Sequence, residues 1–264
     1  MSCCVIAVAN QKGGVGKTTT TVNLAACVAD RGKKVLLIDV DPQGNATSGV
    51  GIEKDGNEKT IYELMLGGLE AEDVIVKDVF KNLDVIPANV DFAGAEIELI
   101  DVENREFVLR NKIRRIKKNY DFIFLDCPPS LNMMTINAMA AANKVLVPLQ
   151  CEYFALEGLS QLVKTIDLIK QRINKDLEID GILFTMADMR TNLSSDVIEN
   201  VKENVNYRIY ETIIPRNIRL AEAPSHGLPI NVYDVTSKGS HKYKQFANEF
   251  IKVHENEPIK YEKK

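Results

Sequence analysis

Residues 4 to 32 read CVIAVANQKGGVGKTTTTVNLAACVADRG, and the fold is decided there. The apolar run CVIAVA (4–9) predicts a buried strand, and TTTTVNLAACVADRG (18–32) carries a helical period with Leu24, Ala25 and Val28 on one face. Gly32 is expected to end that helix. Between them lie Gly13, Gly14 and Gly16, followed by Lys17 and Thr18. Strand, glycine turn and helix form the arrangement in which backbone amides and a helix N-terminus cradle phosphate. The strict pattern GxxxxGK[ST] is met at Gly16, Lys17 and Thr18, but Gln11 replaces its first glycine. Lys17 would neutralise the outer phosphates, and the Thr18 hydroxyl can sit on Mg²⁺. Lys12 lies before the turn and cannot share the helix face of Lys17, so it is either a solvated loop lysine or has separate work.

Outward from this stretch, strand-like and helix-like segments alternate. KVLLIDV (34–40), LDVIPA (83–88), DFIFLD (121–126), KVLVPLQ (144–150), IDGILFTM (179–186) and INVYD (230–234) read as strands, with RIYETIIP (208–215) as a further strand at an edge. Helices are predicted at 91–100, 107–118, 135–142, 156–173, 195–205 and 241–253. Near-continuous apolar strands alternating with helices indicate an α/β fold: a doubly wound, mostly parallel sheet with helices on both faces. With no repeat and no composition break, residues 1–252 read as one domain and 253–264 as a polar tail.

Three aspartates end predicted strands or follow them closely. Asp126 closes FIFLD and would hold Mg²⁺ directly or through water. Asp39 and Asp41, two residues apart after VLLI, would hold an attacking water or the metal's water shell. Arg190 in TMADMRTNLS and Arg219 in PRNIRLAEA are expected in loops without a neighbouring acid. In RNKIRRIKKNY, by contrast, Leu109, Ile113 and Ile116 form a buried stripe beneath a solvated basic face.

The composition excludes several classes. The 264 residues are 45% hydrophobic and 27% charged, with net charge −4, so nucleic acid would be met by a local patch and not by bulk charge. The five cysteines are odd in number and form no CxxC pair, which favours reduced buried thiols over a disulfide framework or metal module. No leader is legible before CCVIAVA, and the charge-free stretch 127–143 holds two prolines and three asparagines, unlike a membrane span. A cytoplasmic protein is expected.

KGGVGKTT, DVDPQGNATSG, FIFLDCPPS, CEYFALEGLSQL and PRNIRLAEAPSHGLPI together resemble the ParA/Soj chromosome-partition ATPases, a deviant-Walker-A class of P-loop proteins, over about residues 3 to 252. The resemblance implies a short, Soj-like ATPase using ATP and Mg²⁺. Its glycine loop would bind nucleotide through Gly13, Gly14, Val15, Gly16, Lys17, Thr18 and Thr19. Lys12 would reach the phosphates of a partner in an ATP-dependent homodimer, much as an arginine finger does. Asp41, with Asp39 close by, would position the hydrolytic water. Thr18 and Asp126 would serve the metal, and Pro215 and Asn217, with Met186, the adenine. Arg190 and Arg219, extended by Lys238 and Lys242, would bind non-specific double-stranded DNA. A ParB/Spo0J-like protein would accelerate slow hydrolysis, placing the protein on the nucleoid. A MinD-like membrane ATPase is the alternative, but HENEPIKYEKK does not read as the basic amphipathic helix that membrane insertion needs. An iron-protein-like or amide-ligase reading is weaker still, because Cys127 and Cys151 are not convincingly placed for a shared cluster.

Overall fold

The structure is a computed structural model that describes residues 3–54, 56 and 58–256. In chain order the strands are β1 (Cys4–Val8), β2 (Val35–Asp39), β3 (Val76–Phe80), β4 (Leu83–Ile86), β5 (Phe122–Asp126), β6 (Lys144–Gln150) and β7 (Glu178–Thr185). The α-helices are α1 (Lys17–Ala29), α2 (Asn45–Gly49), α3 (Ile61–Met65), α4 (Ala71–Val74), α5 (Ala95–Glu98), α6 (Val108–Ile113), α7 (Met133–Ala141), α8 (Ala155–Arg172), α9 (Asn192–Asn204), α10 (Ile218–Glu222), α11 (Ile230–Tyr233) and α12 (Lys238–Asn256).

The seven strands lie in the order β3-β4-β2-β5-β1-β6-β7, and each neighbouring pair is parallel except β3 with β4. Successive strand residues point to opposite faces, and both faces are covered. Val5, Leu36, Ile123 and Val145 pack with Leu109, Met134 and Leu159 on one side. Ile6, Leu37, Phe124 and Leu146 pack with Leu24, Phe246 and Phe250 on the other. Helix α1 is buried well beyond the single predicted face, because α12 lies across it. Truncating the fully buried Phe250 of α12 to Ala should cost about 3–5 kcal/mol.

The sequence reading is revised at five places. INVYD is not a strand: α11 forms one turn there, with Tyr233 N donating to Pro229 O, Ile230 buried and Val232 exposed. Its apolar alternation is real in sequence, but the residues cover no second strand. RIYETIIP runs along the open side of β7 by isolated bridges, Ile182 with Ile209 and Ala187 with Pro215. The approach is close, since a Cβ on Gly181 would lie 2.8 Å from the Tyr210 ring. The predicted helix 91–100 is broken into 3₁₀ turns around α5, leaving Ile97 and Ile100 exposed. Strand β3 was not read at all, since Lys77 and Asp78 interrupt its apolar pattern and Asp78 adopts φ 50°. Helix α12 continues through Asn256, into the segment read as a tail, and residues 257–264 lie outside those described. Among the described residues, no helix is long and apolar enough to cross a membrane.

Candidate functional site

Because the strands are parallel, β1, β2, β5, β6 and β7 all deliver their C-terminal ends to one edge of the sheet, where ligands of such folds sit. The chain leaves β1 through Asn10, whose side-chain amide donates to Pro148 O (2.8 Å) while its Oδ1 accepts Lys12 N (3.0 Å). Gln11 Nε2 donates to Thr165 Oγ1 on α8 (2.8 Å). Gln11 therefore replaces the missing glycine with a clamp. At the loop's far side Thr185 Oγ1, the end of β7, donates to Val15 O (2.8 Å).

Gly14 and Gly16 have φ 76° and 84°, a left-handed geometry that glycine adopts at no steric cost. Gly16 is the N-cap of α1 and supplies no side chain to it, so first-turn amides face outward as an anion site. Lys17 follows, buried, its Nζ donating to Lys12 O (3.0 Å). Burial pushes its ammonium pKa down, while Asp126, Cys127 and Asp41 pull it back up.

Asp39 and Asp126 are register partners on adjacent strands, both fully buried. Asp126 accepts from Thr18 Oγ1 (2.7 Å) and Thr21 Oγ1 (2.8 Å). Both oxygens of Asp39 are engaged too. Thr47 donates to one through its hydroxyl (2.7 Å) and amide (2.8 Å), and Asp41 N donates to the other (3.2 Å). Burial, reinforced by Asp39, pushes the Asp126 carboxyl up to about 8. Burial pushes Asp39 up to about 6 against the bonds from Thr47. Asp41 is buried beyond the strand end, its Oδ1 accepting Gln43 N (2.9 Å). Crowded carboxylates opposite a ring of amides fit a hard divalent cation shared with phosphate. Among the described residues no group of three or more His, Cys, Asp or Glu is placed to hold a metal by itself.

Beside the loop opens a cavity of about 250 Å³, lined by Gly16, Thr19, Met186, Pro215, Asn217 and Tyr243 among others. Met186 has φ 51°, unusual for a side chain of its size. The Ala187–Pro215 bridge holds its loop against the one bearing Asn217. Tyr243 Oη lies 3.1 Å from Thr20 Oγ1, tying α12 to α1 beneath the cavity. Cys4, Cys27, Cys127 and Cys151 are buried and Cys3 half-buried, with burial pushing the thiol of Cys151 up to about 11. Protonated thiols of this kind are unreactive.

The basic residues flank the cavity. Arg190 and Arg219 were expected without a neighbouring acid, and the structure corrects this. Asp188, two residues before Arg190 in the same turn, accepts from its Nε (2.8 Å) and Nη2 (2.6 Å), and the guanidinium holds that carboxyl down at about 2. Arg219 lies on α10, so Glu222 one turn on accepts from its Nη1 (2.8 Å), with Asp234 at 3.5 Å from Nε. Lys238 starts α12, and Lys242 Nζ donates to Gln245 Oε1 (2.9 Å). A Cβ on Gly239 would meet Leu220 at 2.7 Å, so Lys238 and Arg219 occupy adjoining elements. Lys12 is ion-paired with Glu152, just after β6. The sequence reading missed Thr21, Thr47, Glu152 and Tyr243. Thr47 and Glu152 do lie within DPQGNAT and CEYFALEG, two of the stretches that carry the resemblance.

Three comparisons bear on this arrangement. A family model described as an AAA domain matches residues 3–179. The chain is 54% identical to the sporulation initiation inhibitor protein Soj of Bacillus subtilis, over 93% of this chain and 97% of that one. It is 50% identical to the chromosome partitioning protein ParA of Myxococcus xanthus, over 94% of this chain and 88% of that protein. Among solved structures, a Mycobacterium smegmatis protein described as cobyrinic acid a,c-diamide synthase, with bound ADP and magnesium, matches with a TM-score of 0.82 at 37% identity, over 93% of each chain.

Proposed function

This chain belongs to the ParA/Soj family of chromosome-partitioning P-loop ATPases, and from that premise we propose that it is an ATP-dependent dimerisation switch whose ATP-bound pair holds non-specific double-stranded DNA. The observation that carries the nucleotide part is the convergence of Lys17, Thr18 and Asp126 on one glycine loop, with the Thr18–Asp126 hydrogen bond of 2.7 Å beside the cavity.

In this reading the amides of residues 13–19 and the Lys17 ammonium bind the phosphates of ATP, while Met186, Pro215 and Asn217 face the adenine. Mg²⁺, when bound, draws charge from the phosphate oxygens, with the Thr18 hydroxyl and Asp126 as its protein-side contacts. Asp41 orients the attacking water. Asp39 is less available for that, because both its oxygens hold the chain. A carboxylate that only orients the water leaves intrinsic hydrolysis slow. Lys12 completes the site of a second copy, and the ATP pair presents two copies of the patch made by Arg190, Arg219, Lys238 and Lys242. Two linked patches gain affinity without any new contact. A ParB-type protein then speeds hydrolysis, and the pair leaves the nucleoid.

The test is DNA retention measured without nucleotide, with ADP, and with a non-hydrolysable ATP analogue, at several salt concentrations. Binding should appear with the analogue alone and fall steeply with salt as counterions are released. Equal retention in all three states would sink the switch.

A further inference from the structure

The ion pair between Lys12 and Glu152 has no part in the nucleotide chemistry above, yet it engages the one lysine assigned to the partner. Three contacts fix the Lys12 backbone: its N–H to Asn10 Oδ1 (3.0 Å), its carbonyl to Lys17 Nζ (3.0 Å), and the neighbouring Gln11 side chain to Thr165 (2.8 Å). The side chain is another matter. It is 46% exposed, and its ammonium meets the Glu152 carboxylate, itself 41% exposed, at the turn between β6 and α8. Glu152 is held there by its own N–H to Gln150 O (2.8 Å), and Ala155 N donates to Glu152 O (2.9 Å). Two firm backbones thus present one soft contact, which a rotation of the lysine side chain breaks without moving the loop.

We propose that Glu152 is a positioning residue for Lys12, a counter-ion on the same protomer that holds the ammonium until a second copy presents its ATP phosphates. This rests on the reading that Lys12 acts in trans. A phosphate chain carries more negative charge than one carboxylate, so exchange is favoured once the copies meet. Until then each protomer withholds its lysine, and Glu152 sets how much protein is needed for pairing.

The test is the protein concentration at half-maximal pairing with a non-hydrolysable ATP analogue, by sedimentation or light scattering, alongside ATP turnover against protein concentration. Glu152→Gln removes the counter-ion and keeps the shape. Releasing an exposed pair favours the free lysine by about 1.4- to 5-fold, and two per symmetric dimer lower the midpoint by about 2- to 30-fold. Glu152→Asp keeps the charge and should stay near the wild type. In a Lys12→Ala background Glu152→Gln should change nothing, which a merely structural role of Glu152 would not predict. A midpoint that is unchanged or raised in Glu152→Gln, or a shift that persists without Lys12, overturns the proposal. If Lys12→Ala alone pairs and hydrolyses like the wild type, the trans-lysine reading has failed. If Lys12→Ala loses pairing while Glu152→Gln matches the wild type, only the role of Glu152 has failed.

Discussion

The carboxylates behind the phosphate loop and the acids beside the arginines do opposite kinds of work. Asp39 and Asp126 are fully buried, and each oxygen receives a donor fixed by a strand end or a helix turn. Asp188 and Glu222 are half-buried beside guanidinium groups that can swing away, the Arg190 side chain being 89% exposed. Removing a partner from the first set strands a buried polar group, which costs the full desolvation of that group. Removing one from the second set exchanges a screened surface pair for water, which costs little. The nucleotide side should therefore respond to substitution in steps, and the proposed DNA side by degrees.

The steepest step is expected at Lys17. Its ammonium is buried at the loop, so Lys17→Ala should weaken ATP binding by roughly 10- to 100-fold, the worth of a lost charge-assisted hydrogen bond. Titration calorimetry with the ATP analogue measures this, and wild-type affinity would remove the loop's assignment. Asp41→Ala should leave that affinity nearly intact while turnover falls, roughly 10²-fold if the carboxylate orients the water. The ATP pair should then outlast its normal lifetime on DNA in a dissociation experiment. Undiminished turnover would move the role to another group.

A pH experiment probes the buried side without nucleotide. An unfolded aspartate titrates near ~3.9, whereas burial lifts folded Asp126 to about 8. The folded chain holds that proton more tightly, so this group's contribution is full below about pH 4 and declines as pH rises to about 8. In EDTA the melting temperature should fall between pH 6 and pH 8, by at least ~2 °C on the scale expected for a chain of this size. Asp126→Asn, which cannot ionise, should flatten that fall. An identical decline in both proteins would place the titration elsewhere.

Much of this was legible beforehand, and unevenly so. The six strands β1, β2, β4, β5, β6 and β7 appear where apolar runs predicted them, because burial on both faces leaves no other pattern. The places of Asp39 and Asp126 were readable for the same reason, since a residue that ends a buried strand has its position set by the strand, while Lys17 and Thr18 open the helix that follows the glycine turn. β3 was not legible, since an edge strand half in water carries Lys77 and Asp78 without penalty. INVYD misled because short apolar runs do not distinguish a strand from a helical turn behind a proline. The partners of Arg190 and Arg219 were hidden differently. Asp188 is visible two letters away, but only the turn's geometry shows that it folds back, and Asp234 meets Arg219 through tertiary packing alone.

The smallest effect tests the exposed side, and it is the most discriminating. If Arg190 and Arg219 meet phosphate, each neutral replacement should lower the slope of log affinity against log salt by about 1, hence about 2 per symmetric pair. ATP-driven pairing should survive both changes. Asp188→Asn works the other way. The carboxylate that occupies Arg190 competes with DNA phosphate for the same donors, so its neutralisation should strengthen DNA binding of the ATP pair several-fold at most. The gain should be equal for every DNA sequence, since phosphate carries no base information. It should vanish in the Asp188→Asn, Arg190→Ala double variant, because an acid with no arginine to hold has nothing to release. Low-salt filter binding resolves such a difference, whereas at high salt both contacts are screened and the two proteins should converge. A gain that survives loss of Arg190 would mean that Asp188 acts only through bulk charge, and the patch would then lie elsewhere on this flank of the cavity.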